Sequence, residues 1–276
     1  MYPNPIFPGL YEKYGIGVYW YGVFIGIGIL ACLAVFFIYT KRKGMPEKVQ
    51  DFTFYVVIAA IALGFLAAKL FQAFYNWIED GVFDFYSAGF TAMGGFIGGA
   101  AVFLIVYFCL GKVFFKNEKK GLHVKEFNKT LCVAPICITI AHAFGRIGCL
   151  MAGCCYGKVS NSGFTIYNHG AERIPVQLYE ALFLFALFGV LSYLFMKKRC
   201  NITMSIYLIA YGIWRFFIEF LRTDDRGAVV LGLAPSQWQS FIFVGIGVAL
   251  IVFYLIKKIP LFLPKEKIET ENVNEE

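Results

Sequence analysis

The chain has 276 residues, of which 59% are hydrophobic, 19% aromatic and only 16% charged, with a formal net charge of +7. A soluble domain carries roughly a quarter charged residues and under half apolar ones, so this balance excludes an ordinary water-soluble enzyme. The apolar residues come in blocks of about twenty, the mark of a polytopic membrane protein.

In chain order, seven blocks are predicted as membrane-spanning helices: Ile16–Thr40, Phe54–Asn76, Phe90–Leu110, Leu131–Gly153, Val176–Met196, Thr203–Leu221 and Gln239–Ile256. Each is long enough to cross ~30 Å of hydrocarbon at a rise of ~1.5 Å per residue. The expected fold class is all-α: one seven-helix transmembrane domain over 1–264, then a polar, disordered tail over 265–276. The first fifteen residues lack a basic region, so no cleavable signal peptide is expected.

Lys and Arg set the orientation. One set of loops holds Lys41, Arg42, Lys43, Lys48, Lys112, Lys116, Lys119, Lys120, Lys125, Lys129, Lys197, Lys198, Arg199, Lys257 and Lys258. The opposite set holds Lys13, Lys158, Arg173, Arg222 and Arg226, offset by Glu79, Asp80, Asp84, Asp224 and Asp225. The asymmetry places the N-terminus outside and the C-terminus in the cytoplasm. The positive net charge is accounted for by topology and needs no nucleic-acid partner. The absence of a convincing internal repeat argues against a transporter built of inverted halves.

Ionisable residues within spans are costly and mark function by default. Lys69, Arg146 and Arg215 fall inside predicted helices, each roughly 18–22 Å from the cytoplasmic start of its span. Tyr21, Gly94 and Gly95 fall at a similar level. This shared height suggests one polar pocket opening toward the outer leaflet. At 100° per residue, His142, Arg146 and Cys149 share a stripe, as do Tyr211, Arg215, Glu219 and Arg222, and Lys69, Gln72 and Asn76. A buried pair such as Arg215–Glu219 can also simply brace helices. The excess of cations instead suggests an anionic ligand, and arginine binds phosphate in a bidentate way. Glycines around Arg146 (Gly145, Gly148, Gly153, Gly157) and at the start of the third span fit close approach of a ligand, or of another helix.

The segments WYG (20–22), GGFIGG (94–99), GRIGCLMAGCCYG (145–157), QLYEA (177–181), YGIWRFFIEFLRTDDRG (211–227) and SQWQS (236–240) together resemble the bacterial prolipoprotein diacylglyceryl transferase family. The resemblance implies transfer of the diacylglyceryl group of phosphatidylglycerol to the lipobox cysteine of prolipoprotein signal peptides, with release of glycerol phosphate. It implies an enzyme of the bacterial plasma membrane acting at the outer leaflet, with phosphatidylglycerol, prolipoproteins and membrane lipids as partners and no cofactor or metal. Carried onto this chain, the essential arginines are Arg146 and Arg215. Tyr21, Tyr211, Glu219 and Arg222 also sit at motif positions and are expected to contact substrate; so, from their segments or their height in the spans, are Lys69, Gly94, Gly95, Gly145, Gly148, Cys149, Gly157, Gln177 and Glu180. The chain departs from the family pattern at Met93, where a histidine is usual, and at Cys149 and Cys154, where Asn and Glu are usual. His142, one turn before Arg146, is the candidate base in compensation.

Cys149, Cys154 and Cys155 suggest disulfide or metal chemistry, but CxxxxCC is no standard metal spacing and neighbouring cysteines pair only in a strained ring. They are expected to be small gap-fillers, and His123 and His169 to be surface histidines. Three other functions stay open: a sister transferase with another acceptor, a membrane thiol oxidoreductase working through Cys154–Cys155, and a carrier of anionic lipid.

Overall fold

A computed structural model describes residues 4–15, 17–81, 83–118, 121–161, 163–198, 200–223 and 231–262. The expected tail at 265–276 and the loop charges Lys119, Lys120, Arg199, Asp224, Asp225 and Arg226 lie outside the described residues. The protein is helical and polytopic, and among the described residues seven helices are long and apolar enough to cross a membrane. They are α2 (Trp20–Arg42), α3 (Glu47–Asp80), α4 (Ala92–Phe114), α5 (Leu122–Ala152), α6 (Val176–Met196), α7 (Thr203–Ile218) and α8 (Pro235–Ile256). Before them comes α1 (Pro8–Tyr14), and between α5 and α6 lies a hairpin of β1 (Ile166–Asn168) and β2 (Ala171–Arg173).

All seven expected spans are present, but α3 and α5 begin about seven to nine residues earlier than their apolar blocks. In α3 the start is set by Pro46, which cannot continue a helix backward. Its end is set by Gly81, left-handed at φ 72°, whose N–H bonds the Trp77 carbonyl. In α5, Pro135 removes one backbone donor inside the helix. Thr139 Oγ1 donates to the Pro135 carbonyl at 2.5 Å within the same stretch.

The described residues form two compact units, Met1–Tyr39 with Leu131–Glu276, and Thr40–Thr130. In the second unit α3 packs along α4 through small residues, which let membrane helices approach closely. A Cβ on Gly98 would stand 2.3 Å from Ala67 Cβ, and one on Gly94 would stand 2.6 Å from Phe71 Cβ. Gly95 faces Ala68 in the same way. Met45, Val49, Phe52, Val56, Tyr107 and Phe115 form a buried cluster in this unit. His123, expected at the surface, is buried beside it. Its ring stacks on Phe115 at 5.6 Å between centroids, and Tyr107 donates to its carbonyl at 2.8 Å.

In the first unit α7 packs on α6 and along α8, again over glycine. A Cβ on Gly212 would meet the Ser240 carbonyl at 3.0 Å, and one on Gly247 would meet Ile209 Cγ1 at 2.7 Å and the Ser205 carbonyl at 3.0 Å. Pro235 opens α8, and Gln237 Oε1 accepts the N–H of Ala234 at its start. The hairpin turns through His169 and Gly170, both at positive φ, the signature of a type I′ turn. Exposed Leu30, Val190, Ile242 and Leu255 are the lipid-facing residues a span requires.

Filling Gly247 should therefore open the α7–α8 contact. Gly247→Leu is expected to cost about 1–3 kcal/mol and to lower the melting temperature in detergent, whereas Gly189→Ala, with open space around it, should melt like the wild type.

Candidate active site

Glu180 lies in the second turn of α6 and is fully buried. A carboxylate there is costly unless positive charge and hydrogen bonds surround it. Four groups from α5, α7 and the chain just after α7 converge on it. Arg146 Nε lies 3.0 Å from Glu180 Oε2, and Arg222 Nη1 lies 4.0 Å from the same oxygen. Tyr211 OH donates to Glu180 Oε1 at 3.0 Å, and His142 Nε2 lies 3.9 Å from that oxygen. The rings of His142 and Tyr211 meet edge to face at 5.2 Å, and Tyr211 stacks on Tyr207.

A second carboxylate extends the network. Glu219 Oε2 lies 2.7 Å from Arg215 Nη2, one turn away, and 3.9 Å from Arg222 Nε. The helix ends there in a 3-10 turn over Glu219–Leu221, which carries Arg222 back toward α6. The cluster holds three arginines and two carboxylates, an excess of one positive charge with His142 neutral. Its charges are close, yet the donors are poorly aimed. Arg146 Nε and Arg215 Nη2 face carboxylate oxygens without an aligned hydrogen bond, and Arg215 Nη1 is buried with no partner among the described residues. A unit pair 4 Å apart is worth about 4 kcal/mol at an effective dielectric of 20, while desolvation costs several kcal/mol per ion. The network therefore adds little net stability, and its excess charge and free Nη1 suit an anion.

Around this cluster the other expected residues have distinct places. Tyr21, near the start of α2, is half exposed and lines a cleft of about 500 Å³ with Gly17, Gly22 and Ala152. A Cβ on Gly148 would come within 3.2 Å of the Tyr21 carbonyl, whereas Gly145 faces open space. Gln177 donates through Nε2 to the Cys154 carbonyl at 2.6 Å. Gly157 is a packing glycine, since a Cβ there would stand 2.5 Å from Val176 Cγ2 and 2.6 Å from the Ile174 carbonyl. Its backbone bridges that of Arg222.

Lys69, Gly94 and Gly95 belong to the second unit. There Lys69 Nζ donates to the Tyr86 carbonyl at 3.3 Å and lies over the Phe85 and Phe90 rings. Gln72 Nε2 donates to Asn76 Oδ1 at 2.8 Å, and Thr91 Oγ1 bonds Gln72 Oε1. Nearby Asp84, held by Ser87 and by the Ser87 and Tyr86 amides, stays below the usual carboxylate range.

Two features escaped the sequence reading. Glu180 was expected there as a substrate contact in the QLYEA segment, not as the centre of the cluster, and its four partners lie too far along the chain for periodicity to reveal them. The sulfurs of Cys149, Cys154 and Cys155 all lie within 4.8 Å of one another, and Cys154 is exposed, so it is not a core gap-filler. The Cys154 thiol donates to the Cys149 carbonyl at 3.7 Å. His169 is not idle either, since its Nε2 lies 3.1 Å from the Gly153 carbonyl.

Residues 8–253 match the prolipoprotein diacylglyceryl transferase family. The phosphatidylglycerol--prolipoprotein diacylglyceryl transferase 2 of Clostridium perfringens is 35% identical over 85% of this chain and 90% of its own. The phosphatidylglycerol--prolipoprotein diacylglyceryl transferase of Clostridium tetani is 33% identical over 87% and 95%, and that of Streptococcus pneumoniae 28% over 91% and 95%. The chain belongs to the prolipoprotein diacylglyceryl transferase family.

If Glu180 is the hub, removing its charge leaves buried arginine uncompensated. Glu180→Gln is expected to cost about 3–5 kcal/mol and Tyr211→Phe about 1.5–3 kcal/mol, read as melting temperatures in detergent. A Glu180→Gln protein as stable as the wild type would contradict the hub.

Proposed function

We propose that this member of the family transfers the diacylglyceryl group of phosphatidylglycerol to the cysteine thiol of a prolipoprotein lipobox, releasing glycerol phosphate. The observation that carries the reading is the buried cluster around Glu180. It has one positive charge in excess, and Arg215 Nη1 is buried without a hydrogen-bond partner among the described residues. A phosphodiester brings one negative charge and several acceptor oxygens, which complements both properties. The names of the relatives supply donor and acceptor.

The reaction balances on this chain's groups. The thiol gives up its proton, its sulfur bonds to the glyceryl carbon that bears the phosphate, and the carbon–oxygen bond breaks. Glycerol phosphate leaves with the electron pair. Arg146 and Arg215 hold the phosphate and offset the charge that grows on the leaving oxygen. A free thiol ionises only near pH 8.5, so a base is needed, and His142 beside Glu180 takes the proton. Glu180, Tyr211, Glu219 and Arg222 position these groups. Lys and Arg asymmetry supports an outside N-terminus, a cytoplasmic C-terminus and a site opening to the outer leaflet, from which both substrates enter laterally.

Purified protein mixed with phosphatidylglycerol and a lipobox peptide should yield a diacylglyceryl thioether and glycerol phosphate together, detected by mass spectrometry. Neither product from a folded protein would refute the function, and glycerol phosphate without thioether would point to another acceptor. Arg146→Ala should lower turnover at least ~100-fold while the protein still inserts and melts cooperatively; retained turnover would remove the phosphate grip. His142→Ala should slow the reaction roughly 10²–10⁴-fold, and an unchanged rate would take His142 out of the site.

A further inference from the structure

The end of α5 is built in an unusual way. Cys149 lies in its last turn, and Gly153 reverses the chain at φ 76°. Cys155 then adopts φ 60°, a left-handed conformation that costs a non-glycine residue roughly 1–2 kcal/mol. Glycine or asparagine would make this turn with less strain, so the cysteine is there for its sulfur. Strain of this kind persists only where the surroundings over-determine it. Here they do. The Cys154 N–H bonds the Cys149 carbonyl at 3.2 Å, Gln177 holds the Cys154 carbonyl, and Asn168 Nδ2 holds the Gly153 carbonyl at 2.9 Å.

The result is three sulfurs within 4.8 Å of one another. Around one ion with metal–sulfur bonds of about 2.3 Å, three thiolates stand about 3.8–4.0 Å apart, so a contraction of under about 1 Å closes the set. We propose that Cys149, Cys154 and Cys155 form a three-thiolate site for a thiophilic cation such as Zn2+ or Cd2+, with water completing the coordination. Three thiolates and a divalent ion carry one net negative charge. Bound there, the ion pins the last turn of α5 to the loop that follows. Arg146 lies three residues before Cys149, so the ion also steadies the segment that bears it. Its test reads metal binding and needs no turnover.

The full chain, purified in reductant and stripped with a chelator, would be titrated with Cd2+ and followed by the ultraviolet thiolate-to-cadmium band. One Cd2+ per chain is expected, with a rise in melting temperature. Cys154→Ser and Cys155→Ser should each weaken binding at least tenfold, and Cys109→Ser, whose cysteine lies in the other unit, should not. Both serine variants should melt like the metal-free wild type, which separates lost binding from lost fold. Absent stoichiometric binding, or binding unchanged in Cys154→Ser, would overturn the proposal. So would recovery of these thiols as a disulfide from protein isolated without reductant.

Discussion

A carboxylate withdrawn from water inside a membrane-spanning helix must be met by positive charge, and the arrangement around Glu180 follows from that requirement. Arg146 reaches it from α5, Tyr211 from α7 and Arg222 from the chain beyond α7. No two of these groups are neighbours in sequence, so the carboxylate fixes how three segments stand to one another. The pairing yields little net free energy after desolvation. What it provides is arrangement: several guanidinium groups held at one place in a low dielectric, where an anion interacts far more strongly than in water.

Close backbone approach provides the frame on which this charge rests. Gly212 and Gly247 let α7 lie close along α8, against the Ser240 and Ser205 carbonyls and the Val244 and Ile209 side chains, and Gly148 brings α5 against the start of α2 at Tyr21. The hairpin β1–β2 is tied to the end of α5 where Asn168 holds the Gly153 carbonyl, and Gly157 is bridged to Arg222. The close helix contacts of the unit are thus made over small residues, and its charged side chains meet around Glu180.

The spans were legible in the sequence because each is a continuous apolar run. The early starts of α3 and α5 were not, because their first turns are polar and carry no hydropathy signal. Arg215 and Glu219 could be paired by helical spacing alone. Glu180 could not be given its weight, since its partners come from distant parts of the chain. The glycines at 94 and 95 could be read as ligand or packing positions, and in their own unit they face Phe71 and Ala68 of α3. His123 read as a loop residue because the basic residues around it hid the aromatic cluster that buries it. The meeting of the three thiols depends on the left-handed turn at Cys155, which spacing rules for straight helices do not anticipate.

Arg222 belongs to two structures at once. Its backbone is bridged to Gly157 in the loop after α5, while its guanidinium faces Glu180 and Glu219. One residue thus joins the backbone of that loop to the charges inside the cluster.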